Sequence, residues 1–326
     1  MSQDTTADRS TDSSLIVAGE PSPIDPFQAF THVAVQGGML RVARSGPSPD
    51  EADAVVLAVH GVMSSLMAFR RVARELARAK GVCLLAPDLR GRGGSAQLPG
   101  PYGAAAHVAD LLAVLDQCGV GRAVLAGHSM GAYLAARFAN EHPDRVAAVV
   151  LLDGGLVIPP PPDYTPERAL DEVLQQALFR LRMTYTSVEE YTELWRDHPA
   201  MLDEWNDDVE AYTRYDIAGG PGTFSVVVSE DAVVADCTDL ARDETTFTAV
   251  DRVRAPLHLI RASHGVFNDD PLLPSEVVDA FVASRPDAHI EEVANVNHYS
   301  IVLGSGHGPR RVASVIERAI RHARAA

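Results

Sequence analysis

Ser129 lies in Gly127-His128-Ser129-Met130-Gly131, where an apolar run, AVLAGHS, gives way to a helical one, MGAYLAARFANEHP. A serine between glycines at a strand-to-helix junction is held on a strained backbone with its Oγ uncrowded, as a nucleophile requires. The chemistry implied is attack on an acyl carbonyl, which has further needs. A base must take the hydroxyl proton, a carboxylate must hold the base, and two preorganised N–H donors must receive the oxyanion.

Twelve histidines compete for the base. His60 and His128 fall within backbone-shaping motifs, and His142 precedes a proline at a helix end. His258 falls inside a predicted strand, where a packed, hydrogen-bonded core ring is expected. His298, in NVNHYS, follows a strand and precedes the last helix, and is the candidate base. Two places offer a carboxylate. Asp153 closes VAAVVLLDG, while Asp269 and Asp270 lie in the loop HGVFNDDPLLP. Either location is chemically sufficient. Asp153 is favoured, because the end of a strand is fixed by the sheet, although a cap of the Gly154-Gly155 turn would use the same residue. Asp88 and Arg90 read as a structural salt bridge and turn.

These side chains need a frame. From residue 31 to about 153, short apolar runs alternate with helical ones, the pattern of a mostly parallel sheet covered by helices. THVAVQ and MLRVAR predict an antiparallel pair. AVVLAVH, GVCLLAP, AVLAGHS and VAAVVLLDG are near-continuous apolar runs, as strands buried on both faces are. The sheet resumes at APLHLIRA and DAHIEEVANVNHYS, and PRRVASVIERAIRHAR predicts a closing helix. Three domain segments follow: a polar tail over 1–28, a core over 29–153 and 251–326, and an insertion over 154–250.

The insertion has its own character. It opens on IPPPPDY and holds 20 Asp and Glu against 6 Arg, a net of −14 in a chain whose total is −16. Both tryptophans and five of eight tyrosines are there. The overall charge argues against nucleic acid and anionic membranes as partners. No run approaches the roughly 18 apolar residues of a membrane span. Cys83, Cys118 and Cys237 are scattered without metal or disulfide spacing. The acidic, polar N-terminus lacks the features of a secretory signal, so a cytoplasmic location is expected. No metal or organic cofactor is implied, a small molecule is the expected partner, and the oligomeric state is left open.

Several stretches together resemble the α/β-hydrolase family. VLAVHGVMSS is similar to its strand and His-Gly oxyanion loop, APDLRGRGGS to its Asp-x-Arg-Gly-x-Gly-x-Ser loop, LAGHSMGA to its nucleophile elbow, and NVNHYS to the surroundings of its late histidine. The resemblance implies an α/β fold with a helical lid inserted after the sixth strand. It implies Ser129 as nucleophile, His298 as base, and the amides of Val62 and Met130 as oxyanion donors. The acid departs from the commonest pattern: Gly265 stands near where the family usually places an aspartate. Asp153 stands at the family's alternative position, with Asp269 as the other candidate. Trp195, Tyr191 and His60 are candidate substrate contacts, the first two as part of an acyl pocket or of the lid's own core.

The expected activity is hydrolysis of an ester, lactone or amide of a neutral, apolar small molecule through an acyl-enzyme. Carbon–carbon bond hydrolysis or acyl transfer could use the same residues, and a silent small-molecule binder could keep the same pocket. Epoxide hydrolysis fits less well, since those relatives carry aspartate where this chain has Ser129.

Overall fold

The computed structural model describes residues 25–160, 163–220 and 222–325. The tail expected over 1–28 therefore lies outside it up to residue 24.

The expected strands form. β1 (Ala29–Val35) and β2 (Gly38–Ser45) make the antiparallel pair, followed by β3 (Ala54–Val59), α1 (Arg70–Leu76), β4 (Val82–Pro87), α2 (Ala104–Gln117), β5 (Ala123–His128), α3 (Met130–Glu141) and β6 (Val146–Leu152). After the insertion come β9 (Leu257–His264), α9 (Ser275–Ser284), β10 (His289–Asn297), α10 (Ser300–Leu303) and α11 (Gly308–Ala325). These strands form one eight-stranded sheet in the order β1-β2-β4-β3-β5-β6-β9-β10, parallel from β4 to β10.

The continuous apolar runs are explained by what each face meets. Val56 and Ala58 of β3, with Val124 and Ala126 of β5, pack toward α1 and α11, while Val55, Leu57, Val59 and Leu125 pack toward α2 and α3. Successive side chains of a strand point to opposite faces, so a strand covered on both sides must be apolar throughout. A parallel sheet covered in this way presents its functional loops at the strands' C-terminal ends.

The insertion supplies α4 (Pro166–Leu181), α5 (Val188–Arg196), α6 (Asp207–Tyr215), a hairpin of β7 (Ile217–Gly220) and β8 (Thr223–Val226), α7 (Glu230–Arg242) and α8 (Glu244–Phe247). Thr165, Ser187, Asn206, Ser229 and Asp243 start these helices, each accepting a backbone N–H with its side chain. Three of its acidic residues reach core arginines. Asp208 meets Arg70 at 2.6 Å and Arg74 at 2.8 Å, Asp236 meets Arg92 at 2.5 Å, and Asp243 meets Arg137 at 2.5 Å.

Asp88 and Arg90 do not pair, contrary to expectation. Arg90 is bidentate to Asp110 at 2.6 Å, and donates to the carbonyls of Pro99 and Pro101. Asp88 instead accepts from the N–H of Leu66 and Gly94 and from the hydroxyl of Tyr215 on α6. Burial raises this carboxyl to about 6 despite those donors.

Candidate active site

Ser129 stands between β5 and α3 with φ 56° and ψ −120°, a left-handed conformation that serine adopts only when its surroundings impose it. Those surroundings are close-packed backbone. A Cβ on Gly127 would lie 2.0 Å from the Gly131 carbonyl oxygen, and one on Gly131 would lie 2.0 Å from that of Val59. The two glycines therefore let α3 dock on β3 and β5 and hold the turn sharp. Ser129 N–H donates to Leu152 O at 3.0 Å, linking the turn to the end of β6. Ser129 is half-buried.

One residue beyond Leu152, Asp153 also takes a positive φ, 45°, and is fully buried. Its backbone N–H donates to Ile260 O at 2.8 Å, and its Oδ1 accepts from Ala262 N–H at 3.0 Å, so β9 fixes the carboxylate. Its Oδ2 lies 2.7 Å from Nδ1 of His298, which follows β10 and is 6% exposed. With Nδ1–H donating to this carboxylate, Nε2 is left to accept a proton, the tautomer that a general base needs. Gly154 next to Asp153 touches Ser129 directly: a Cβ there would lie 2.5 Å from Ser129 O.

His128 supplies a second tie. Its Nε2–H donates to the His298 carbonyl at 2.8 Å, and the two rings lie 4.6 Å apart. Burial pushes His128 well below the ordinary imidazole range, which keeps it neutral. The residue before the serine thus holds the backbone of the histidine, a link absent from the sequence reading.

The other carboxylate candidates lie elsewhere. Asp269 and Asp270 are exposed, and Asp269 closes its own turn, with Oδ1 accepting from Phe267 N–H at 3.2 Å. The loop still serves His298, whose N–H donates to Gly265 O at 3.4 Å.

The loop after β3 passes directly beside the serine, where a Cβ on Gly61 would lie 3.1 Å from Ser129 Cβ. Among the described residues, nothing accepts the backbone N–H of Val62 or of Met130. Met130 opens α3, whose dipole favours negative charge there. Arg92 steadies the loop: Nε donates to Val62 O at 2.9 Å, while its NH1 meets Asp236 of α7. Asp236 also accepts from Gly103 N–H at 2.7 Å and pairs with His107 at 2.9 Å.

The structure gives the three expected substrate contacts partners within the protein. Both nitrogens of His60 are used by backbone, Nδ1 toward Gly61 O at 2.8 Å and Nε2 accepting from Leu89 N–H at 3.0 Å, so this ring shapes the loop. Tyr191 is fully buried with its hydroxyl on Asp216, which Arg180 also approaches. Trp195 is 2% exposed, stacked edge-on against Tyr212 and Tyr299 with the Arg180 guanidinium 4.6 Å from its ring centre. Both rings are insertion core. The apolar surface beside Val62 and Met63 comes instead from Leu170, Leu174 and Ala177 of α4 with Val233 and Cys237 of α7. The i, i+4 and i+7 spacing of 170, 174 and 177 was readable, but not what it faced.

A model of the alpha/beta hydrolase fold matches residues 54–194. Lipase LipV of Mycobacterium tuberculosis is 31% identical over 278 residues, which are 83% of this chain and 98% of that protein. Epoxide hydrolase A of the same organism is 38% identical over 122 residues, 37% of each chain. Among solved structures, E-2-(acetamidomethylene)succinate hydrolase superposes with a TM-score of 0.70 at 19% identity, covering 90% of this chain and 100% of the other. The thioesterase domain from the curacin biosynthetic pathway gives 0.70 at 19% identity, covering 89% and 99%. No helix among the described residues is long and apolar enough to cross a membrane. With the eight-stranded sheet, the serine turn and a relative matched along nearly its whole length, the chain is a hydrolase belonging to the α/β-hydrolase fold family.

Proposed function

We propose that the protein is a serine hydrolase that cleaves an ester, lactone or amide of a neutral, apolar small molecule through an acyl-enzyme on Ser129. His298 takes the Ser129 proton as Oγ attacks the acyl carbonyl and returns it to the leaving group; water then repeats the sequence on the acyl-enzyme. Asp153 orients His298 and stabilises its imidazolium. The amides of Val62 and Met130 hold the oxyanion, where losing one such donor costs roughly 3 kcal/mol of transition-state stabilisation. The insertion acts as a lid, with the α4 and α7 side chains beside Val62 and Met63 as the acyl contact.

The observation that carries this reading is the Asp153–His298 bond of 2.7 Å, joined to the Ser129 turn through Gly154 and His128. The lipase name of the 31% identical relative supports an ester as first substrate class. Intact mass after incubation with a fluorophosphonate tests it without a known substrate. One adduct on the wild type and none on Ser129→Ala is expected; no adduct on a folded wild type, or an equal one on the variant, would refute the nucleophile. An active wild type is then screened with p-nitrophenyl esters, lactones and amides, with a diketone and an alcohol acceptor separating carbon–carbon cleavage and acyl transfer.

A further inference from the structure

A cluster of three histidines lies at the opposite edge of the sheet. His258 is the second residue of β9 and His289 the first of β10, and the two are paired in register. The serine, aspartate and histidine of the candidate active site all follow the C-terminal ends of their strands, whereas this pair stands at N-terminal ends. His322, near the end of α11, completes a group whose ring centres lie 4.6 to 5.2 Å apart. One ligating nitrogen from each lies within 4.8 Å of the others.

Two features set this cluster apart from ordinary packing. His258 is fully buried, yet neither of its ring nitrogens has a hydrogen-bond partner among the described residues, and leaving such atoms unpaired in a core is costly. The burial is also graded, since His322 is half-buried and His289 exposed, so a solute can reach the group from one side. The nearby cations are partly offset: Arg318 lies 3.3 Å from Glu291 and Arg321 3.9 Å from Glu317.

We propose that His258, His289 and His322 bind one divalent transition-metal ion, with water in the remaining position. Three imidazoles select the Zn²⁺, Ni²⁺ and Cu²⁺ class over Mg²⁺ and Ca²⁺, which require oxygen ligands. Metal–nitrogen bonds of about 2.0 to 2.1 Å require the three nitrogens to close in, a movement that falls to the two less buried rings, His289 and His322. The ion satisfies one of the orphaned nitrogens of His258. It also clasps β9, β10 and α11 together, so its effect is on stability and does not depend on the hydrolytic reading.

The test uses the full chain, stripped of metal, titrated with Zn²⁺ against a chromophoric competitor and followed in parallel by thermal unfolding. One ion per chain is expected, with the melting temperature rising as Zn²⁺ is added. His289→Ala and His322→Ala change surface-accessible rings that the fold can spare, and each should weaken binding at least tenfold and abolish the thermal shift; His307→Ala, an exposed histidine elsewhere, should leave both unchanged. Bound Co²⁺ should show visible ligand-field bands in the wild type and not in the double variant. No binding at millimolar Zn²⁺, or binding and thermal shift that survive in the double variant, would overturn the proposal.

Discussion

Residues decide the chemistry here, and the two aspartate positions separate cleanly. Asp153→Asn keeps the shape but favours the wrong tautomer of His298, so kcat should fall by about 10³ to 10⁴, whereas Asp269→Asn should stay within a few-fold of the wild type. The reverse order in ester turnover would move the acid to the later loop. His60 makes a different prediction. Burial holds its ring at about 3 against an ordinary 6.5, so the unfolded chain takes a proton that the folded one refuses. The stability it contributes is complete above pH 6.5 and is lost as pH falls toward 3, by about 1.4 kcal/mol per pH unit. His60→Gln keeps a donor for Gly61 and an acceptor for Leu89, so its urea-unfolding free energy between pH 7 and 4 should decline less steeply by close to one proton; an unchanged slope would show the ring titrating freely in the fold. At this scale the sequence was legible for Ser129, because a turn motif is local. It was ambiguous for the acid, because which loop returns to a histidine is settled by strand pairing. His258 was read as a packed, hydrogen-bonded ring; it is packed, but among the described residues neither nitrogen is bonded, and neither its pairing with His289 nor the docking of α11 is written locally.

Elements set the tolerances. Gly131→Ala would drive a methyl into the Val59 carbonyl and force α3 away from β3, so a loss of about 3 kcal/mol or more is expected by urea unfolding, with slower fluorophosphonate labelling of what folds. Asp236 on α7 acts at longer range through Arg92 and the Val62 carbonyl. Asp236→Asn should lower kcat about tenfold with KM nearly constant, since what loosens is the proposed oxyanion donor Val62, needed most in the transition state; a KM effect alone would place α7 in substrate binding instead. The strands were readable because burial on both faces leaves only apolar choices, and the helices of the core because their apolar residues recur at helical spacing. The hairpin of β7 and β8 went unread, since Gly219, Gly220 and Gly222 blur any alternation.

At the scale of the molecule, three of the insertion's carboxylates, Asp208, Asp236 and Asp243, tie it to arginines of the core. Asp208, 2% exposed, gathers Arg70 and Arg74 from α1, so neutralising it takes a buried anion from a cluster of cations, even though Arg70 also pairs with Asp25. Asp208→Asn should cost about 3 kcal/mol in urea unfolding, against under about 1 kcal/mol for Glu189→Gln, whose pairing with Arg214 is open to solvent. Composition revealed the acidic surplus, but only the fold reveals which carboxylates face arginines. The position of the proposed acid just after β6 has one more consequence. In a scheme where the carboxylate follows β9, the turn there is under strict selection, yet in this chain that turn need only keep Gly265 in place for His298. Asn268 and Asp269 hold Gly265 through backbone hydrogen bonds of 3.3 and 3.0 Å, so side-chain exchanges across residues 266 to 270 that keep those two bonds offer a way to vary this turn without touching the proposed reactive groups.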